Sequence, residues 1–221
     1  MRVNEQGRSM IEMLGVLAIV GVLSVGGIAG YSKAMNKFKT NKAIDQINML
    51  STNIRTLFSS QGNYTGMNNK VLVKAGVIPA EMYTLPAGGA DAMHSTSGLS
   101  NVFGGDAYII PASQNGTNDA YIIAVDGIPQ SACVVMASTD WGSDVGSGLA
   151  AMYINGAASN AAKAGAEAID TGIEAVASTS MTDGGPNTFV PGDDLMGTPL
   201  SIVSAQSACT SGTNTFAFKY I

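Results

Sequence analysis

Charge is scarce in this chain. Only 12% of its 221 residues are Asp, Glu, Lys or Arg, against 46% hydrophobic residues. That composition does not suit a disordered tail. Basic charge is scarcer still: 11 Lys and Arg against 16 Asp and Glu leave a formal net charge of −5. Phosphate binding needs a basic face, so no direct nucleic-acid binding is inferred. There is one histidine, His94, and there are two cysteines, Cys133 and Cys209. They leave almost no material for a His/Cys zinc site or a Cys–His nucleophile pair. No Ser/His/Asp arrangement and no phosphate-binding loop stand out either. No catalytic residue, metal site or cofactor is assigned, and the chain is not read as an enzyme. Proline is missing from the whole stretch before Pro79, so nothing there need break a long helix.

What is present is a long apolar run. Residues 13–32 are 20 consecutive positions without a charge, mostly Leu, Val, Ile, Ala and Gly. As a helix they would be about 30 Å long, the thickness of a bilayer's hydrocarbon core. The bland alternative is a buried core helix. The pattern continues past the run: Ile44, Ile47, Leu50, Ile54, Leu57 and Phe58 recur at steps of three and four, one apolar stripe. A single helix of roughly 55 residues, about 80 Å long, is expected, half lipid-soluble and half amphipathic. Glu12 stands at the start of the run, where a carboxylate is expensive and usually has a partner or a task. Before it come a polar heptapeptide carrying Arg2 and Glu5, then Arg8, four residues ahead of Glu12 and able to pair with it within one helix. Read alone, Glu12 could merely mark the membrane interface. Gly26 and Gly30 have the small-xxx-small spacing that lets helices approach closely, although membrane helices also simply tolerate glycine.

Gly7-Arg8-Ser9-Met10-Ile11-Glu12 followed by the apolar run resembles the class III signal of type IV prepilins and pseudopilins. The resemblance implies a leader of residues 1–7, cut between Gly7 and Arg8 by a prepilin peptidase that also N-methylates the new terminus. The first mature residue is usually apolar in that family; here it is Arg8. Glu12 falls at the fifth mature position, where the family carries a glutamate. The resemblance implies that this carboxylate pairs with the amino terminus of a neighbouring subunit and sets axial register, Arg8 being a competitor for it. Lys33, Lys37, Lys39 and Lys42 follow the run and would lie in the cytoplasm by the positive-inside tendency. The more specific leader signal puts them outside.

Beyond Gly62 the texture changes to Gly-, Ser-, Thr- and Asn-rich sequence. Residues 71–78, closed by Pro79, suggest a short helix, with a loop after 80–82. Residues 107–110, 121–125, 133–137, 200–203 and 215–221 read as strands rich in β-branched and aromatic types. Phe216, Phe218 and Tyr220 alternate with Ala217 and Lys219, as in a strand with one buried face. Residues 157–177 suggest an alanine-rich helix. Trp141 is expected in the core and His94 at the surface. The acidic turns at Asp183 and Asp193-Asp194 could take calcium, although solvated turn carboxylates are commoner. Two cysteines alone could be buried thiols; in an exported chain a distant pair reads as one disulfide.

This half resembles the type IVb pilins through Ala75-Gly76-Val77-Ile78-Pro79 with Met82, Asn101-Val102-Phe103-Gly104-Gly105, and late Cys133 with Cys209. The resulting expectation is an α+β type IV pilin fold: leader 1–7, helix 8–62 with 13–32 transmembrane, and a head of 63–221 with an antiparallel sheet and a Cys133–Cys209 bridge. The implied life history is a precursor in the inner membrane of a Gram-negative-type cell, then a homo-oligomeric helical filament outside it, with a prepilin peptidase and pilus assembly machinery as partners. A minor pilin or secretion-system pseudopilin is the near alternative. A secreted binding protein, cut after Gly27-Ile28-Ala29 by an ordinary signal peptidase, and an enzyme tethered by one helix are the others.

Overall fold

The first helix, α1 (Gln6–Phe58), is unbroken over 53 residues, as the lack of proline allows. It stops where Gln61 N–H donates back to the Phe58 carbonyl and Gly62 turns to φ +70°. The computed structural model describes residues 6–93, 98–112, 118–142, 148–155, 188–189 and 199–221. The helix expected at 157–177, His94, Asp183, Asp193 and Asp194 lie outside these. The chain divides into two compact units, Met1–Lys39 and Thr40–Ile221. In the first, every described side chain across residues 10–34 is exposed.

The second unit is built around an antiparallel sheet. Its described strands are β1 (Leu99–Ser100), β2 (Asp106–Ala112), β3 (Ala120–Pro129), β4 (Leu149–Ile154), β5 (Thr188–Phe189) and β6 (Thr213–Tyr220). Their order is β1-β2-β3-β6-β4-β5, so the C-terminal strand lies in the middle. Tyr121 pairs with Tyr220, Ile123 with Phe218 and Val125 with Phe216, which puts these six on one face. Tyr121 Oη donates to the Ser51 carbonyl of α1 at 3.1 Å, identifying that face as the one under the helix. Against it α1 buries Ala43, Ile47, Leu50, Ile54 and Phe58. Leu57, expected in the stripe, is instead 37% exposed, in the last turn of α1. Phe58, Tyr64, Tyr121 and Tyr220 form a chain of ring contacts between 4.7 and 5.5 Å. Burial raises the hydroxyl pKa values of Tyr121 and Tyr220, with Arg55 opposing.

Three expectations need correction. Residues 133–137 are not a strand but the end of helix α3 (Gln130–Ala137). Val134 and Val135 suggested β-structure, but Ala132, Cys133, Met136 and Ala137 are buried at helical spacing, after Pro129 at the N-cap. Residues 200–203 are not a strand either: helix α4 (Ile202–Ala208) starts there, the Ser201 hydroxyl accepting from Ser204 N–H at 3.1 Å. Finally, β6 buries both faces. Ala217 and Lys219 are as inaccessible as the aromatic residues beside them. Burial lowers the Lys219 pKa, and Asp119 opposes the shift. Trp141 is half-buried against Phe218, its indole N–H donating to the Met136 carbonyl.

The contrast between Leu50 and Leu57 is testable. Leu50→Ala should cost roughly 2–5 kcal/mol in chemical denaturation, as a cavity in a packed seam does. Leu57→Ala should cost about 1 kcal/mol or less. Equal losses would contradict the placement of the helix face.

Candidate assembly surface

Gly7 and Arg8 lie in the first turns of α1, and Glu12 follows one turn later with its side chain exposed. Beyond it the large apolar side chains stand in the open: Ile11 is 73%, Val22 75% and Val25 71% exposed. Among the described residues this is the one helix long and apolar enough to cross a membrane by length and composition, and its most apolar window is 0% buried. Within the uncharged run the Ser24 hydroxyl needs no outside partner, since Ser24 Oγ donates to the Val20 carbonyl at 2.7 Å. Gly15, Gly21, Gly26, Gly27 and Gly30 all have ordinary helical φ, and a Cβ at any of them would touch nothing. Each costs a helix up to about 1 kcal/mol relative to alanine, and the isolated subunit gives none of them a reason to be glycine.

The two cysteines are joined. The Cys133–Cys209 disulfide links α3 to the residue that follows α4, with both sulfurs buried. Gln130, which opens α3, donates to the Cys209 carbonyl at 2.9 Å, fixing the same junction through a hydrogen bond. A pair of amides, Asn214 buried and Asn155 half-buried, reinforces it. Asn155 Nδ2 donates to the Ala208 carbonyl and to Asn214 Oδ1, while Asn155 Oδ1 accepts from Thr215 N–H. Asn155 sits at φ +51°, a left-handed conformation that Asn tolerates. Nothing in sequence reading singled out Asn155 or Asn214; a lone Asn after an apolar run was the available signal.

The motifs noted at 75–79 and 101–105 turn out to be turns of the scaffold. After α2 (Asn69–Lys74), Gly76 takes φ +69°, Gly76 N–H donates to the Val73 carbonyl and Val77 N–H to that of Leu72. This is the Schellman arrangement, which favours glycine at that position. Asn53 of α1 then donates to the Val77 carbonyl, and Glu81 accepts from Lys42 at 2.7 Å and Gln46 at 2.9 Å, clamping the loop onto α1. The hydrogen bond from Lys42 holds the Glu81 carboxyl below its usual range, with Gln46 helping. The clamp therefore survives acidification through the ordinary glutamate range and is lost below the lowered pKa. In the second motif, Asn101 accepts from Phe103 N–H and donates to the Asp126 carbonyl. A Cβ on Gly105 would collide with that same carbonyl, at the irregularity in β3 between Val125 and Ile128.

The chain combines a late disulfide, a C-terminal strand in mid-sheet and a long N-terminal helix. The sequence profile of the bundlin family matches residues 32–217. The chain belongs to the bundlin family. It is 27% identical over 140 residues to the major structural subunit of bundle-forming pilus from Escherichia coli O127:H6 (strain E2348/69 / EPEC). The same figures hold for that subunit from Escherichia coli O111:H-. The alignment covers 62% of this chain and 66% of each relative, slightly under two thirds of their length. Among solved structures, TcpA, a type IV pilin from Vibrio cholerae El Tor biotype, superposes with a TM-score of 0.51 at 18% identity, covering 83% of this chain and 99% of that one. That likeness shares the fold: long N-terminal helix and antiparallel sheet. The bundlin match begins at residue 32, so Gly7, Arg8 and Glu12 rest on their own chemistry.

Closing a loop with a sequence separation of 76 residues constrains the unfolded chain by roughly 4.5 kcal/mol. Reduction of the bridge, or Cys133→Ala with Cys209→Ala, should lower the head's unfolding free energy by an amount of that order. An unchanged denaturation midpoint after verified reduction would contradict it.

Proposed function

We propose that this bundlin-family chain is the structural subunit of a type IV pilus. It is made as a precursor with a leader of residues 1–7, cut between Gly7 and Arg8 by a prepilin peptidase and held in the inner membrane by residues 13–32. Assembly machinery then draws it into an extracellular filament for adhesion, aggregation, motility or DNA transfer. The observation that carries this reading is the wholly exposed, uncharged surface of α1 across residues 13–32, on a chain that matches the bundlin family from residue 32 onward. A side chain such as Leu or Ile gains about 1.5–3 kcal/mol on leaving water, so a helix face of this kind must be covered. Lipid covers it before assembly, and the same face of neighbouring subunits afterwards.

Glu12 gives the second stage its geometry. A carboxylate taken into a packed apolar bundle is costly unless it meets a cation. The amine freed by cleavage ahead of Arg8 on an adjacent subunit supplies one. Helices with near-uniform apolar surfaces specify axial register poorly, and a single charge pair imposes one. Arg8 lies one turn before Glu12 in the same helix and competes for it. The mature protein outside the cell should begin at Arg8 by intact-mass analysis; a terminus at Gly30, after Ala29, would instead favour a secreted protein with an ordinary signal peptide.

Replacing Glu12 separates register from insertion. Glu12→Ala removes both the pair and its desolvation cost, so membrane levels of the cleaved subunit should stay normal while surface filaments fall by at least about tenfold, the loss of one pair worth 1.4 kcal/mol or more. Arg8→Ala should not reproduce that loss. Normal filament yield from Glu12→Ala would leave Glu12 as a marker of the membrane interface.

A further inference from the structure

At the end of the apolar run and just past it, α1 carries a second kind of surface. Tyr31 is 65% and Phe38 60% exposed, with Lys33 and Lys37 exposed and Lys39 half-buried between them. None of these three lysines forms an ion pair among the described residues, whereas Lys42 is engaged by Glu81. At 100° per residue Tyr31 and Phe38 project within about 20° of each other, and Lys33 and Lys37, about 40° apart, project from the opposite side. Lys39 falls on a third bearing. Lys33 and Lys37 are also like charges four residues apart, which destabilises a helix unless an anion lies nearby.

We propose that Tyr31, Lys33, Lys37, Phe38 and Lys39 form a collar for anionic phospholipid headgroups, on the side of the membrane where the head lies. The collar deepens the membrane stage proposed above and rests on it. A protein partner would approach from one side and favour charge on one face. Here cations and rings surround the helix within about 12 Å of rise, directly after a run of hydrocarbon-core length. That arrangement suits a layer of headgroups encircling an upright helix. Aromatic rings settle at the boundary of the hydrocarbon, and lysine stems lie along it while their ammonium groups reach phosphate. The collar also accounts for lysines on the side that the positive-inside tendency disfavours. There they bind lipid instead of directing insertion, and the binding must be released when the subunit leaves for the filament.

The test uses the full chain reconstituted in phosphatidylcholine vesicles containing trace spin-labelled phosphatidylcholine or spin-labelled phosphatidylglycerol. Electron spin resonance resolves the motionally restricted lipid around an inserted helix and gives the relative association of the two headgroups. The wild-type chain should prefer phosphatidylglycerol about fivefold, the value of one lysine at a charged surface. High salt should weaken the preference, and Lys33→Gln with Lys37→Gln and Lys39→Gln should abolish it while leaving the amount of restricted lipid unchanged. Equal association of both lipids with the wild-type chain would overturn the collar and leave membrane insertion standing. So would a preference that survives the triple substitution. Loss of self-association in the triple variant without any lipid preference would assign the lysines to a second copy of the chain and overturn the collar too. No restricted lipid of either kind would mean the helix does not insert, overturning the collar and the membrane stage together.

Discussion

The seam between the second half of α1 and the inward face of the sheet holds the head together, and β6 is the strand that completes it. Ile47, Leu50 and Ile54 are buried against rings contributed by Tyr121, Phe216, Phe218 and Tyr220. Three of those four rings come from the last strand, which must enter between β3 and β4. Pairing of such distant segments carries a loop-closure cost. The disulfide reduces it: Cys133 lies in α3, which follows β3 directly, and Cys209 lies four residues before β6 begins. The bridge thus delivers β6 to the edge of β3, and the Asn155–Asn214 amide pair holds β4 at the start of the same strand. Gln130 and the Schellman turn at Gly76 are local supports for that one seam.

Burial along α1 is confined to its second half. The same helix that is buried at Leu50 and Ile54 is exposed throughout residues 10–34, and no residue of the head is needed to keep that segment helical, because a helix satisfies its own backbone. The exposed glycines and the self-satisfied Ser24 fit a surface meant to be enclosed by something apolar. Lipid tails and neighbouring helices are equally apolar, so passage from one to the other involves little change in hydrophobic burial. Charge then distinguishes the two states. In the proposed cycle, Glu12 at one end of the run and the lysine collar at the other would have different partners in a bilayer and in a bundle, which would let a transfer between them be directional.

Much of this was legible in the sequence because the relevant signals are local. The length of the uncharged run, the missing proline and the step of three and four from Ile44 to Phe58 specify α1 without tertiary information. β2, β3 and β6 were visible through their β-branched and aromatic residues. The errors arose where local preference met tertiary context. Val134 and Val135 favour a strand in isolation, but the disulfide and the packing of Met136 draw them into a helix. Ile202 and Val203 misled in the same way, against a serine cap that outweighs them. The burial of Lys219 could not be read from alternation, since it depends on what lies over the second face of the sheet. Conversely, Gly76 and Gly105 were noticed as parts of a resemblance, and the structure supplies the reason: a left-handed turn at one and a close approach to the Asp126 carbonyl at the other.

The central claim is that one helix face is enclosed by lipid in the precursor and by the same face of other subunits in the filament. A cysteine in place of Ile19, 62% exposed in the isolated subunit, tests it directly, because the two native cysteines are bonded to each other. Treated with a membrane-impermeant maleimide, the cysteine should stay unlabelled in membranes and in intact filaments, and become labelled only after filaments are dissociated in detergent. Labelling of intact filaments comparable to that of the dissociated subunit would contradict the account, since it would show the surface facing water where packing should have covered it.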